Sequence, residues 1–140
     1  MRKIVVDIET NGLNDADKIW VAVLQNVETN QVLITLNEKD FKKNIREDDI
    51  LIGHNFVGFD RYWLNKLWRT GIKHTQVVDT LVLSTLFNPD RLGGHSLSSW
   101  GDRLNLPKGD YNDWSKLTKE MVDYCVQDVN ITTALYKHLI

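Results

Sequence analysis

The order of apolar segments predicts an α/β protein, a mixed β-sheet with helices on its faces. Three short β-branched runs separated by turn residues come first, at spacings that suit an antiparallel meander. An alternation of helix, strand, helix and strand follows, the pattern that adds further strands to the same sheet. A long helical pattern with no Gly or Pro inside it closes the chain.

Lys3 to Ile8 (K-I-V-V-D-I) reads as a buried central strand ending in acids. Asn11-Gly12 is a turn signal, and Ile19 to Leu24 (I-W-V-A-V-L) is a second strand. After the polar turn Glu28 to Gln31, Val32 to Leu36 gives a third. Asn37 to Glu47 reads as a short polar helix with Phe41 and Ile45 inward. Asp49 to His54 is a fourth strand, and Phe59 to Arg69 has Tyr62, Trp63 and Leu67 at helical spacing. Gln76 to Val78 is a short fifth strand. Asp79 caps a helix that runs to Asn88-Pro89, Gly93-Gly94 marks a loop, and Ser96 to Leu104 is helical. Leu106 to Trp114 has no periodicity, and Thr118 to Leu139 is the long final helix.

No linker or repeat divides the 140 residues, so the expectation is one domain spanning 1–140. No apolar run approaches the ~20 residues of a membrane span. The N-terminus lacks the apolar region of a secretory signal, so a cytoplasmic setting is expected, with no membrane partner. The single cysteine, Cys125, excludes an internal disulfide and reads as a small apolar filler on a helix. A net charge of −2 gives no overall attraction to nucleic acid. That argues against a pure binding module more than against an enzyme, because metal-ligating acids are themselves negative.

Asp7 and Glu9 lie two residues apart at the end of an apolar strand, so both side chains can share a face. Two readings are open: solvated acids at a strand end, or carboxylates held together by a hard divalent cation. Asp60 opens a helix and is either a capping residue or a third ligand. Asp128 lies within the last helix, four residues after Tyr124 and beside Val126 and Val129. If it is buried there without a cation at i±4, a metal would supply the missing charge; otherwise it faces solvent.

In this order the segments V-V-D-I-E-T (Val5 to Thr10), H-N-F-V-G-F-D (His54 to Asp60) and Y-C-V-Q-D (Tyr124 to Asp128) resemble the DEDD superfamily of 3′→5′ exonucleases. Tyr124, four before the last acid, is similar to the tyrosine branch; the histidine branch would place His at position 123, where this chain has Asp. Val78 to Phe87, Gly93 to Leu104 and Tyr124 to Leu135 resemble the proofreading domain of phage family-A DNA polymerases, so that the similarity spans nearly the whole chain.

The resemblance implies an RNase H-like fold with a five-stranded mixed sheet, its first three strands antiparallel, flanked by helices. It implies two divalent cations, Mg²⁺ or Mn²⁺. Asp7 would bridge both, Glu9 and Asp128 would complete the tighter site, and Asp60 would act largely through water. Tyr124 would orient the attacking water, and the product would be a nucleoside 5′-monophosphate. The catalytic set implied is therefore Asp7, Glu9, Asp60, Tyr124 and Asp128. Thr10 and Asn55 match family positions that meet the terminal nucleotide. Leu13 matches an apolar wedge against the terminal base, although a turn-flanking core leucine is the other reading.

The expected substrate is a single-stranded or frayed DNA 3′ end. The chain is read as a monomer, either a free-standing exonuclease acting alone or beside a separately supplied DNA polymerase, or a domain cut from a longer enzyme, in a phage-infected or bacterial cytosol. Two alternatives stand beside this: a 3′ RNA-trimming enzyme of the RNase D kind, and a non-catalytic nucleic-acid-binding module on the same fold. Of the five tryptophans, Trp63, Trp68 and Trp100 read as core, while Trp114 is the candidate for contact with a base. His54 and His95 either meet phosphate or satisfy local backbone groups. Lys66, Arg69, Lys73 and His74 form a modest basic cluster, either a solvated helix face or a phosphate guide.

Overall fold

β1 (Lys3–Thr10) alternates its side chains between two faces, and each face finds its own core. Ile4, Val6 and Ile8 pack with Phe41, Phe56, Trp63, Leu64 and Trp68 on one side. Val5 packs with Val21, Val23, Ile52, Met121, Cys125 and Val129 on the other. The molecule is described by a computed structural model covering all residues, Met1–Ile140. β1 pairs antiparallel with β2 (Ile19–Asn26), which pairs antiparallel with β3 (Val32–Thr35). On its other edge β1 runs parallel to β4 (Ile50–Gly53), and β4 runs parallel to β5 (Val77–Asp79). The five-stranded mixed sheet therefore has the order β3-β2-β1-β4-β5, an α/β arrangement with the antiparallel meander and parallel half that the segment order implied.

Five α-helices cover it: α1 (Glu38–Lys43), α2 (Arg61–Leu67), α3 (Thr80–Phe87), α4 (Leu97–Arg103) and α5 (Lys119–Leu139). Side-chain caps fix four of their starts: Asn37 for α1, Asp79 for α3, Ser96 for α4 and Thr118 for α5. α5 lies against β1 and β2 with Met121, Cys125, Val129 and Tyr136 toward the sheet, the spacing of one buried helical stripe. No helix is long and apolar enough to cross a membrane.

Several boundaries differ from expectation. β1 continues to Thr10, so Glu9 as well as Asp7 stands within the strand. β2 reaches Asn26, and α1 is shorter than the polar segment Asn37 to Glu47 suggested, ending at Lys43 where Asn44 closes the last turn. The helix expected from Phe59 is two pieces: a π-helical turn over Phe56–Asp60, then α2 from Arg61. Periodicity alone does not reveal the wider turn, because its buried residues, Phe56 and Asp60, are four apart as in an ordinary helix. Gly53 makes this turn possible. A Cβ there would stand 2.9 Å from the Cβ of Phe56, closer than two carbons can sit.

Trp63, Trp68 and Trp100 are buried, as their helical spacing implied. The basic cluster splits up. Lys66 lies over the rings of Tyr62 and Trp63, and Arg69 pairs with Glu38 at 2.9 Å. None of its four residues lines the pocket described next.

Candidate active site

Strand parity puts Asp7 and Glu9 on the face of β1 that α5 covers. The same helix brings Tyr124 and Asp128, one turn apart, and between them Cys125, whose Sγ lies 3.4 Å from both the main-chain oxygen and Oδ2 of Asp7. Asp60 arrives from the opposite layer. It ends the π-helical turn, and its Oδ2 accepts a 3.1 Å hydrogen bond from the backbone N–H of Ile8. A register shift in the β1–β2 pairing between Glu9 and Thr10 bends the strand end beside these groups. The four acids and Tyr124 thus line one open pocket of about 420 Å³, together with Thr10, Leu13, Asn55, Lys108 and Trp114.

Asp128 is 5% exposed, which removes the reading of a solvated surface acid. No cation stands at i±4, where the helix has Tyr124 and Thr132, but one comes from outside the helix. Lys108, from the irregular segment before α5, places its Nζ 3.1 Å from Asp128 Oδ2 and donates to the Tyr124 hydroxyl. Asp128 Oδ1 is buried and has no hydrogen-bond partner. An orphaned carboxylate oxygen facing a group of other acids is costly unless a cation or a donor completes it.

The ionisation of the whole group reflects this crowding. Burial, then the charge of Asp128, pushes the Asp7 carboxyl up to about 7. Glu9 is raised too, by burial and then by Asp7 and Asp128, and Asp60 is raised well above the usual carboxylate range by burial and then by Asp7. Burial raises Asp128, with Lys108 opposing it. Four acids that resist losing their protons are a donor set suited to a hard divalent cation, which would stabilise the charged form of each.

The surrounding frame is built from hydrogen bonds. Asp79 caps α3 through Leu81 N–H and also accepts from the N–H groups of Asn55 (2.9 Å) and Val57 (3.0 Å). This holds Asn55 in the left-handed region, φ 58°, at the entrance to the π-helical turn. His54 bonds the carbonyl of His95 and the hydroxyl of Thr80, and His95 bonds Ser84 and Pro89, so local groups satisfy both rings. Thr10 bonds the Gly12 carbonyl at 2.5 Å, closing the turn after β1. Leu13 is 78% exposed, which removes the reading of a core leucine and leaves an apolar side chain at the pocket edge. Trp114 packs edge-on to Tyr111 and Tyr124, and its carbonyl accepts from the Trp20 indole. Phe59 meets Trp63 edge-to-face and packs on the core.

Comparison with solved structures shows the same fold over nearly the whole chain. NrnC of Brucella melitensis with bound Mg²⁺ matches 98% of this chain and 71% of its own, with TM-score 0.74 and 21% identity. RNase D of Trypanosoma brucei matches 99% and 57%, with TM-score 0.73 and 17% identity. Phi29 DNA polymerase, complexed with primer-template DNA, matches 98% and 31%, with TM-score 0.64 and 16% identity. In sequence, the DNA-directed DNA polymerase of Escherichia phage T7 is 27% identical across 98% of this chain, and that of Enterobacteria phage T3 is 28% identical across 69%. This chain is similar in sequence to the phage DNA polymerases and shares its fold with NrnC and RNase D. It spans 26% of the T7 polymerase and 20% of the T3 polymerase. No family model matches the sequence.

Lys108 is the pocket residue that spacing did not reveal. It is 20 residues from Asp128, in a segment without periodicity or regular secondary structure. Gly109 lets that segment approach, since a Cβ there would sit 3.1 Å from the Tyr124 ring. Lys108→Met keeps the stem and removes the charge. In chelator, at pH 8, this variant is expected to lose about 1–3 kcal/mol of stability in urea denaturation, through the unpaired Asp128 and Tyr124. A loss below about 0.5 kcal/mol would show that the pair contributes little.

A second expectation concerns pH. The folded-state values of Asp7, Glu9, Asp60 and Asp128 are raised, so the folded chain holds protons that the unfolded chain releases near pH 4. Their stabilising contribution is therefore complete below about pH 4 and is lost as pH rises through the folded values, with Asp7 near 7. In chelator the melting temperature should fall between about pH 5 and pH 8, and millimolar Mg²⁺ should restore more of it at pH 8 than at pH 5. Equal Mg²⁺ effects at both pH values would contradict this account.

Proposed function

We propose that this chain is a metal-dependent 3′→5′ exonuclease that removes nucleoside 5′-monophosphates from single-stranded or frayed DNA 3′ ends, in the manner of a proofreading domain. The observation that carries the proposal is the meeting of Asp7, Glu9, Asp60 and Asp128 with Tyr124 in one pocket, with a buried carboxylate oxygen left unpartnered. Two divalent cations, Mg²⁺ or Mn²⁺, would be held by the four acids and would supply neutralising charge and acidify the attacking water. The catalytic set is Asp7, Glu9, Asp60, Tyr124 and Asp128, of the tyrosine type.

The chain's own residues do the rest. Tyr124, its phenol raised by burial, stays protonated at neutral pH, so it orients water rather than deprotonating it. Lys108 holds that hydroxyl in place. Thr10 and Asn55 present polar groups to the terminal nucleotide, and exposed Leu13 offers an apolar edge to its base. The phage polymerase relatives favour DNA over RNA. Residues 1–140 would act as one exonuclease domain, monomeric and cytosolic.

Matched 5′-labelled DNA and RNA oligonucleotides with Mg²⁺ test the reading. Stepwise shortening from the 3′ end, faster on DNA, is expected. Faster digestion of RNA would move the assignment to RNA trimming of the RNase D kind, a fold neighbour. No digestion of either would leave a binding module.

A further inference from the structure

Cys125 is the one group at this site that the exonuclease reading does not use. It is the only thiol in the sequence and is fully buried. Its Sγ points at the Asp7 carboxylate, 3.4 Å from Oδ2, where an apolar filler would have pointed into hydrocarbon. One ligand atom from each of Asp7, Glu9 and Cys125 lies within 4.8 Å of the other two. Tetrahedral zinc, with bonds of about 2.3 Å to sulfur and about 2.1 Å to oxygen, separates such atoms by roughly 3.6 Å, so small side-chain movements would close the set. A fourth donor is at hand. Asp128 is three residues from Cys125 on the same helix face, 5% exposed, with Oδ1 buried and unpartnered.

Thiolate ligands favour softer cations, whereas Mg²⁺ prefers oxygen alone. We propose that Asp7, Glu9 and Cys125 form a mixed oxygen–sulfur site that captures a thiophilic divalent cation, Zn²⁺ or Cd²⁺, and that this capture competes with the hard cations at the same acids. On binding, the S–H bond breaks heterolytically and a metal–sulfur bond forms; the thiol proton, with any proton still held by the ligating carboxyls, passes to water, and no electrons are exchanged. Only the competition rests on the exonuclease reading; the sulfur ligation does not.

Cd²⁺ titrated into chelator-stripped protein, followed by near-ultraviolet absorbance in weak buffer, tests it. Wild type should develop a sulfur-to-metal charge-transfer band that saturates with about one cation per chain, with at least one proton released per cation. Cys125→Ser and Cys125→Ala, checked for folding by circular dichroism, should lack the band and bind Cd²⁺ at least about tenfold more weakly. Saturable Cd²⁺ binding to wild type without a band would overturn the proposal, and so would wild-type affinity in folded Cys125→Ala. The wild-type measurement decides even if a variant fails to fold. In parallel, Zn²⁺ added to Mg²⁺-supported digestion should inhibit wild type at lower concentrations than Cys125→Ser; equal sensitivity would overturn the competition. If wild type digests neither DNA nor RNA, the exonuclease reading fails while the band still decides the sulfur.

Discussion

Asp7→Ala is expected to abolish release of mononucleotides, lowering the rate at saturating Mg²⁺ by about 10³-fold or more, roughly 4 kcal/mol of transition-state stabilisation. Asp7 sits at the middle of the acid group: its charge acts on Glu9, Asp60 and Cys125, and its side chain faces Cys125 across the β1–α5 contact. Its loss should not unfold the chain, because removing one member of a mutually repelling set relieves charge. The variant in chelator at pH 8 should melt at or above the wild-type temperature, while its stabilisation by Mg²⁺ should shrink. Rapid digestion by a purified, folded Asp7→Ala protein would remove the carboxylates from the mechanism.

Phe56→Ala should produce the largest loss of stability, about 3–5 kcal/mol in denaturant unfolding. Phe56 is fully buried in the core beneath β1, and its ring occupies the space left by Gly53. It also opens the π-helical turn that ends in Asp60. The cavity should therefore loosen Asp60 and Asn55, and the surviving folded fraction should digest DNA more slowly than its population explains. A loss below about 1.5 kcal/mol would mean that the turn repacks easily.

The sheet was legible because its signal is local. β-branched runs and turn residues marked the strands, and hydrophobic spacing marked α5 within a residue of its observed start. Spacing alone left solvated readings open for Asp7, Glu9, Asp60 and Asp128; the order of the three segments that carry them, with its resemblance to the DEDD superfamily, singled out the set. What stayed hidden depends on distant partners. Lys108 meets Asp128 across 20 residues, and Asp79 ties down Asn55 from 24 away. The Cys125 thiol meets Asp7 across 118, so its helix position suggested only packing. The π-helical turn was hidden for another reason: it arises from the room at Gly53, not from any period.

That span of 118 residues between Asp7 and Cys125 also sets a timetable. On the ribosome, the first strand emerges long before the helix that completes its pocket. Until α5 docks, one face of the sheet lacks its core and the acid pocket is still in pieces. A chain cut short before Tyr124 would lack Tyr124, Cys125 and Asp128 and could not complete the pocket, a dependence built into the connectivity itself.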